Sequence, residues 1–178
     1  KVREAIEELI TTGRELAPDL LFAYANYPST EYLEPENADF TAFNVYLESQ
    51  GAFDSYLARL QNIAGDAPLV ISEFGVDVKP SGEARQREIL TWQRQCCLER
   101  GVAGNLLFAF TDEWHRGGQD VTGWQFGLTD RSRTPRKAWV QLAGGPPFVS
   151  SLLPPQPPRV SVIVCTRNGA ATLPECLA

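Results

Sequence analysis

Methionine is absent from the sequence, histidine occurs once, and there are only four cysteines in 178 residues. Four thiols this scattered cannot staple a disulfide scaffold, and Cys96 and Cys97 are immediate neighbours. No C-x-x-C step and no Cys/His spacing of a zinc site occurs. All four are expected as reduced thiols, which fits a cytoplasmic location. No Lys/Arg block is present and the net charge is −6, so no nucleic-acid partner is expected. No apolar run approaches the roughly 20 residues that a membrane-spanning helix needs. The first residues already follow a helical pattern, and with no methionine this is expected of a piece of a longer polypeptide.

What is present is an ordinary globular composition, 43% hydrophobic and 21% charged, arranged in alternating periods. Val2, Ala5, Ile6, Leu9 and Ile10 repeat at helical spacing, and Pro18 ends that pattern. The run 20–25 is short and apolar, as in a strand buried on both faces. Residues 40–46 read as a second strand, 52–64 as a helix and 69–72 as a third strand. A long helix over 82–99 closes at Gly101, and 104–110 gives a fourth strand. A polar loop follows, then a short helix over 136–142. Strands that alternate with helices pair in parallel, because a parallel pair needs a long crossover. A doubly wound sheet or about half of a (β/α)8 barrel satisfies this order. No G-x-G-x-x-G follows any strand, which weakens a dinucleotide-binding reading.

From Gly144 the composition changes. Two proline clusters, Pro146-Pro147 and 154–158, mark residues 144–158 as a semi-rigid linker. Val160 to Val164 then reads as a fresh strand, so 159–178 is expected to open a second α/β domain.

In a barrel, chemistry sits at the C-terminal strand ends. Those ends carry Asn26 and Tyr27, then Asn44, Tyr46 and Glu48, then Glu73, then Asp112, Glu113, Trp114 and His115. Glu73 is the sharpest of them, since a carboxylate directly after a buried strand is costly unless paired or functional. Gly75 beside it allows close backbone approach. Asp112, Glu113 and His115 share a loop and have the donor types of a divalent-cation site. Such polar runs are more often solvated loops, and no metal is expected there.

Phe43-Asn44-Val45-Tyr46, then Ser72-Glu73-Phe74-Gly75-Val76-Asp77, resemble glycoside hydrolase family 2. That family shows Asn-x-Tyr on its sixth barrel strand and Ser-Glu-Tyr/Phe-Gly-Ala-Asp on its seventh. The segment from Trp124 to Ala138 is similar to its closing Trp-Gly-Leu-x-Asp pattern. The resemblance covers residues 1–143 and implies the C-terminal half of a (β/α)8 barrel. It implies Glu73 as the nucleophile of a retaining β-glycosidase, with Tyr46 holding it by a hydrogen bond. Asn26 and Asn44 are then expected to contact sugar hydroxyls, and Trp114 to stack on the pyranose, with no cofactor. The family's acid/base, the Glu of an Asn-Glu pair on the fourth strand, has no counterpart here. Glu48 and Glu113 do not match its position. The 178 residues alone are therefore expected to be inactive and to self-associate through exposed barrel edges. The alternative is a barrel that only binds glycan.

Val160-Ser161-Val162-Ile163-Val164-Cys165-Thr166-Arg167-Asn168 is similar to the start of family 2 glycosyltransferases. That resemblance implies a GT-A-like domain, with Thr166 and Arg167 in the loop that holds a nucleotide sugar. Cys165 stands for the usual Pro and Arg167 for the usual Tyr. The complete domain would use a divalent metal. Together the two resemblances imply a multidomain carbohydrate-active enzyme.

Overall fold

The computed structural model describes residues 1–143. The expected linker and the expected start of a second domain, with Thr166 and Arg167, lie outside the described residues.

Helix α1 (Val2–Leu16) opens the chain. Strand β1 (Ala25–Asn26) follows, then β2 (Thr41–Asn44), helix α2 (Gln50–Ala64) and β3 (Leu69–Phe74). Next come α3 (Val78–Glu99) and β4 (Gly104–Leu107). A small hairpin, β5 (His115–Arg116) and β6 (Gln119–Asp120), precedes the last helix, α4 (Lys137–Ala143). Strands β1 to β4 form one sheet in sequence order, every pair parallel. The sheet is an open arc, with β1 and β4 each paired on one side only. Among the described residues no helix is long and apolar enough to cross a membrane.

The core lies between this arc and helices α2 and α3. Phe53, Leu57 and Leu60 recur at helical spacing on α2 and are fully buried against Phe43, Leu69 and Ile71 of the strands. Each contributes roughly 1.5–3 kcal/mol by leaving water. Helix α3 buries Ile89, Leu90, Cys96 and Cys97 on the same side. It breaks at Gly82, whose φ of 75° and ψ of 159° are open to glycine and strained for other residues. Gly101, at φ 67°, ends it, with Val102 N donating to Cys97 O at 2.9 Å.

Several expectations need correction, among them the strands expected over 40–46 and 104–110, which shorten to Thr41–Asn44 and Gly104–Leu107. The strand expected over 20–25 shrinks to Ala25–Asn26. Phe22 is bonded instead to Asp39, whose carboxylate accepts from Phe22 N at 2.7 Å while its own N donates to Phe22 O at 2.8 Å. The crossover from β1 to β2 holds only a 3-10 turn over Glu31–Leu33. The long helix begins four residues earlier than expected, at Val78, because Asp77 caps it by accepting from Lys79 N. The polar loop after β4 contains the β5–β6 hairpin, turned by Gly117 and Gly118 with φ of 59° and 81°.

Candidate functional site

Glu73 is placed by an irregularity in β3. Phe43 pairs with Ile71, but the next residue on β2, Asn44, pairs with Glu73, so Ser72 is an extra residue on β3. The pairing of β3 with β4 shifts over the same stretch. Bulges of this kind bend a strand and re-aim a side chain. Ser72 Oγ donates to Asn44 Oδ1 at 2.8 Å, and Val45 N donates to Glu73 O at 2.7 Å, which fixes the bulge against β2.

Tyr46 lies two residues beyond β2, and its hydroxyl donates to Glu73 Oε2 at 2.6 Å. Burial, then the hydrogen bond and charge of Glu73, push the Tyr46 phenol well above the ordinary tyrosine range. Tyr46 therefore stays protonated and is the donor of this bond. Its ring meets Phe108 and Phe126 edge-on, at 5.9 and 5.8 Å between centroids.

These residues open into a cleft of about 490 Å³. Tyr46 and Glu73 share it with the rings of Phe108, Trp124 and Phe126. Glu48 and Asp77 add two further carboxylates to its lining. A somewhat larger cleft, about 540 Å³, runs between α2 and α3 beside the Asp54–Arg100 ion pair, and no strand-end residue lines it. The strand-end residues Tyr46 and Glu73 line the smaller one.

Two buried glutamines of α3 hold the cleft's loops. Gln93 Nε2 donates to Leu47 O at 2.9 Å, one residue beyond Tyr46. Gln86 Nε2 donates to Phe126 O and Gly127 O at 3.3 and 3.2 Å. Glycine is required where backbones meet: a β-carbon on Gly75 would collide with Phe108 O, and one on Gly127 with Thr129 O. The segment around Gly127 is also anchored by a buried ion pair. Arg136 reaches both Asp112 oxygens, at 3.0 and 2.6 Å, and Gly127 N donates to Asp112 Oδ1 at 2.8 Å.

The structure brings Glu73 and Tyr46 together but sets the other expected barrel residues apart from the cleft lining. Asn44 is engaged by Ser72 within the sheet. Asn26 is fully buried, its Oδ1 accepting from Tyr27 N at 2.9 Å and Thr30 Oγ1 at 2.6 Å. Its Nδ2 faces Glu34, a carboxyl that burial pushes above its ordinary value. Trp114 lies behind the cleft, stacked on Phe108 at 4.6 Å and edge-on to Trp124 at 6.2 Å. The reason is where β4 stops. The strand ends at Leu107, so the first aromatic beyond it is Phe108, while Trp114 stands half-buried just before the β5–β6 hairpin. Trp124 is the tryptophan that lines the cleft. Asp112 and Glu113 are spent on ion pairs with Arg136 and Arg133, and His115 Nε2 contacts Asp120 Oδ1 at 2.6 Å.

No protein-family model matches the sequence, and no curated protein matches it. Solved structures do match. An FMN-binding β-glucuronidase from Facaelibacterium prausnitzii L2-6 matches with a TM-score of 0.65 at 18% identity, over 78% of this chain and 25% of that one. The fold is that of a (β/α)8 barrel, present as an open arc. A glycoside hydrolase family 17 β-1,3-glucanosyltransferase from Rhizomucor miehei matches at 0.62 and 19% identity, over 76% of this chain and 56% of that one. A Bacteroides uniformis β-glucuronidase matches at 0.59 and 18%, over 73% and 18%. The chain thus spans a quarter or less of these glucuronidases. The strand ends around Glu73 are the end of this fold where active sites form.

Proposed function

We propose that this arc carries the nucleophile side of a retaining glycosidase site, with Glu73 as nucleophile and Tyr46 as the donor that aims it. The observation that carries the reading is the 2.6 Å bond from Tyr46 to Glu73 at the strand ends, inside an aromatic cleft. Glu73 attacks the anomeric carbon and forms a glycosyl ester while a second carboxyl protonates the departing oxygen. Water, deprotonated by that second carboxyl, then cleaves the ester and restores Glu73. The second carboxyl must lie about 5–5.5 Å from the first, and it is supplied by the part of the barrel beyond this four-stranded arc. Trp124, Phe108 and Phe126 offer rings to the apolar face of a pyranose, the role expected of Trp114. The sequence pattern of 159–178 supports a glycosyltransferase domain next to the barrel. Thr166 and Arg167 would face its nucleotide sugar, and the complete domain would bring its own divalent metal. The barrel would then hydrolyse or transfer sugars on a glycan that its neighbour handles.

The test is hydrolysis of a panel of aryl β-glycosides by the full-length protein beside its Glu73→Gln variant. Turnover that falls by several orders of magnitude in the variant supports the reading. No turnover by either, with glycan binding still measurable, identifies a barrel that binds without cleaving.

A further inference from the structure

We propose that Glu48 is a specificity-determining carboxylate that makes this cleft accept neutral sugars and reject uronates. The inference rests on the cleft being a glycoside site, and it names the class of sugar.

The argument begins with charge. Three of the cleft's lining residues are carboxylic acids, Glu48, Glu73 and Asp77, and none is Lys or Arg. Three arginines on the loops that follow are committed elsewhere. Arg131 pairs with Asp120 at 3.0 Å, Arg133 with Glu113 at 2.7 Å, and Arg136 with Asp112 at 2.6 Å. The one phenol in the lining already donates to Glu73. A uronate carboxylate entering here meets like charge and no Lys or Arg in the lining, and juxtaposed like charges reject a ligand.

The three carboxylates are not equivalent. Glu73 is held by Tyr46. Asp77 Oδ1 accepts from Lys79 N at 2.9 Å and Gln125 N at 3.2 Å, so it caps α3 and ties down the Trp124 loop. Glu48 is exposed and makes no hydrogen bond or ion pair within the described residues. Its oxygens are free to accept from the hydroxyls of a ring seated against the aromatic side chains. A hydroxymethyl group at C6 donates to such an acceptor; a carboxylate there cannot. Glucuronidases share this fold, yet the groups lining this cleft point to the neutral counterpart of their sugar.

The experiment compares matched pairs of non-hydrolysable phenyl β-thioglycosides that differ only at C6: glucoside with glucuronide, galactoside with galacturonide, mannoside with mannuronide. Binding to the full-length protein and its Glu48→Gln variant is measured by calorimetry. The neutral member of the bound pair is expected to bind about tenfold or more tightly than its uronate. In Glu48→Gln the gap narrows, because the uronate gains and the neutral sugar loses. Glu48 is exposed, so the variant keeps the fold. Equal or tighter binding of a uronate overturns the inference and leaves the glycoside site standing. A preference that Glu48→Gln does not change removes Glu48 from the role. No binding of any pair removes the glycoside-site reading, and this inference with it.

Discussion

The Tyr46 phenol resists ionisation because burial and the adjacent Glu73 both oppose the phenolate. In an alkaline absorbance titration Tyr46 is expected to ionise above the ordinary tyrosine value near 10. In Glu73→Gln its midpoint falls but stays elevated, because burial is the larger cause. A midpoint unchanged by the substitution would contradict the charge of Glu73 as a contributor. The Asp112–Arg136 pair is far more buried, with side-chain exposures of 6% and 7%. Removing one member leaves an uncompensated buried charge, so Asp112→Ala is expected to cost about 3–5 kcal/mol in denaturant unfolding. Glu73 and Tyr46 were legible because each sits directly at or beyond an apolar strand, where a polar side chain stands out. Trp124 was not. It lies in a polar loop with no periodicity, and only the fold-back held by Asp112 and Gly127 turns it to the cleft. Asn26 stands at a strand end, and its Oδ1 accepts from the Tyr27 amide and the Thr30 hydroxyl of its own loop.

Among the elements, the helices were the most legible, because α2 and α3 bury stripes at i, i+3, i+4 and i+7 spacing. The strands are only two to six residues long, so a shift of one residue moves their ends, and the bulge at Ser72 leaves no trace in a hydrophobic pattern. Gly117-Gly118 was a readable hairpin signal inside the polar loop. The first segment is attached differently from the rest. Asp39 joins Phe22 N to Arg14 of α1, and the Phe22 amide, then Arg14, hold its carboxyl below the usual aspartate range. A carboxyl lowered on folding contributes its full stability above the ordinary value near 3.9 and loses it as pH falls through the lower folded value. Acid unfolding followed by circular dichroism is therefore expected to show a decline below about pH 4 that is shallower in Asp39→Asn. That variant is less stable than the parent at neutral pH. Parallel acid curves for the two proteins would contradict this attachment.

The four strands form an arc with two free edges. Leu9 and Leu16 on α1 and Leu21 ahead of β1 are 72%, 82% and 74% exposed, and Leu106 and Phe110 are 56% and 55% exposed at β4 and just beyond it. In a closed barrel such edges and faces are paired and covered. The parallel order was readable from the alternation of strands and helices, whereas the openness of the sheet depends on which strands are present. Glu73, Tyr46 and the aromatic wall of the cleft all come from β2, β3, β4 and the loops that follow them. The direct test is to treat the full-length protein with activated 2-deoxy-2-fluoro β-glycosides and map the product by peptide mass spectrometry. A retaining nucleophile is expected to carry the fluorosugar as an ester on the peptide containing Glu73, with loss of the adduct in Glu73→Gln. A stable adduct on any other residue, or hydrolysis that proceeds while Glu73 stays unlabelled, would contradict Glu73 as the nucleophile.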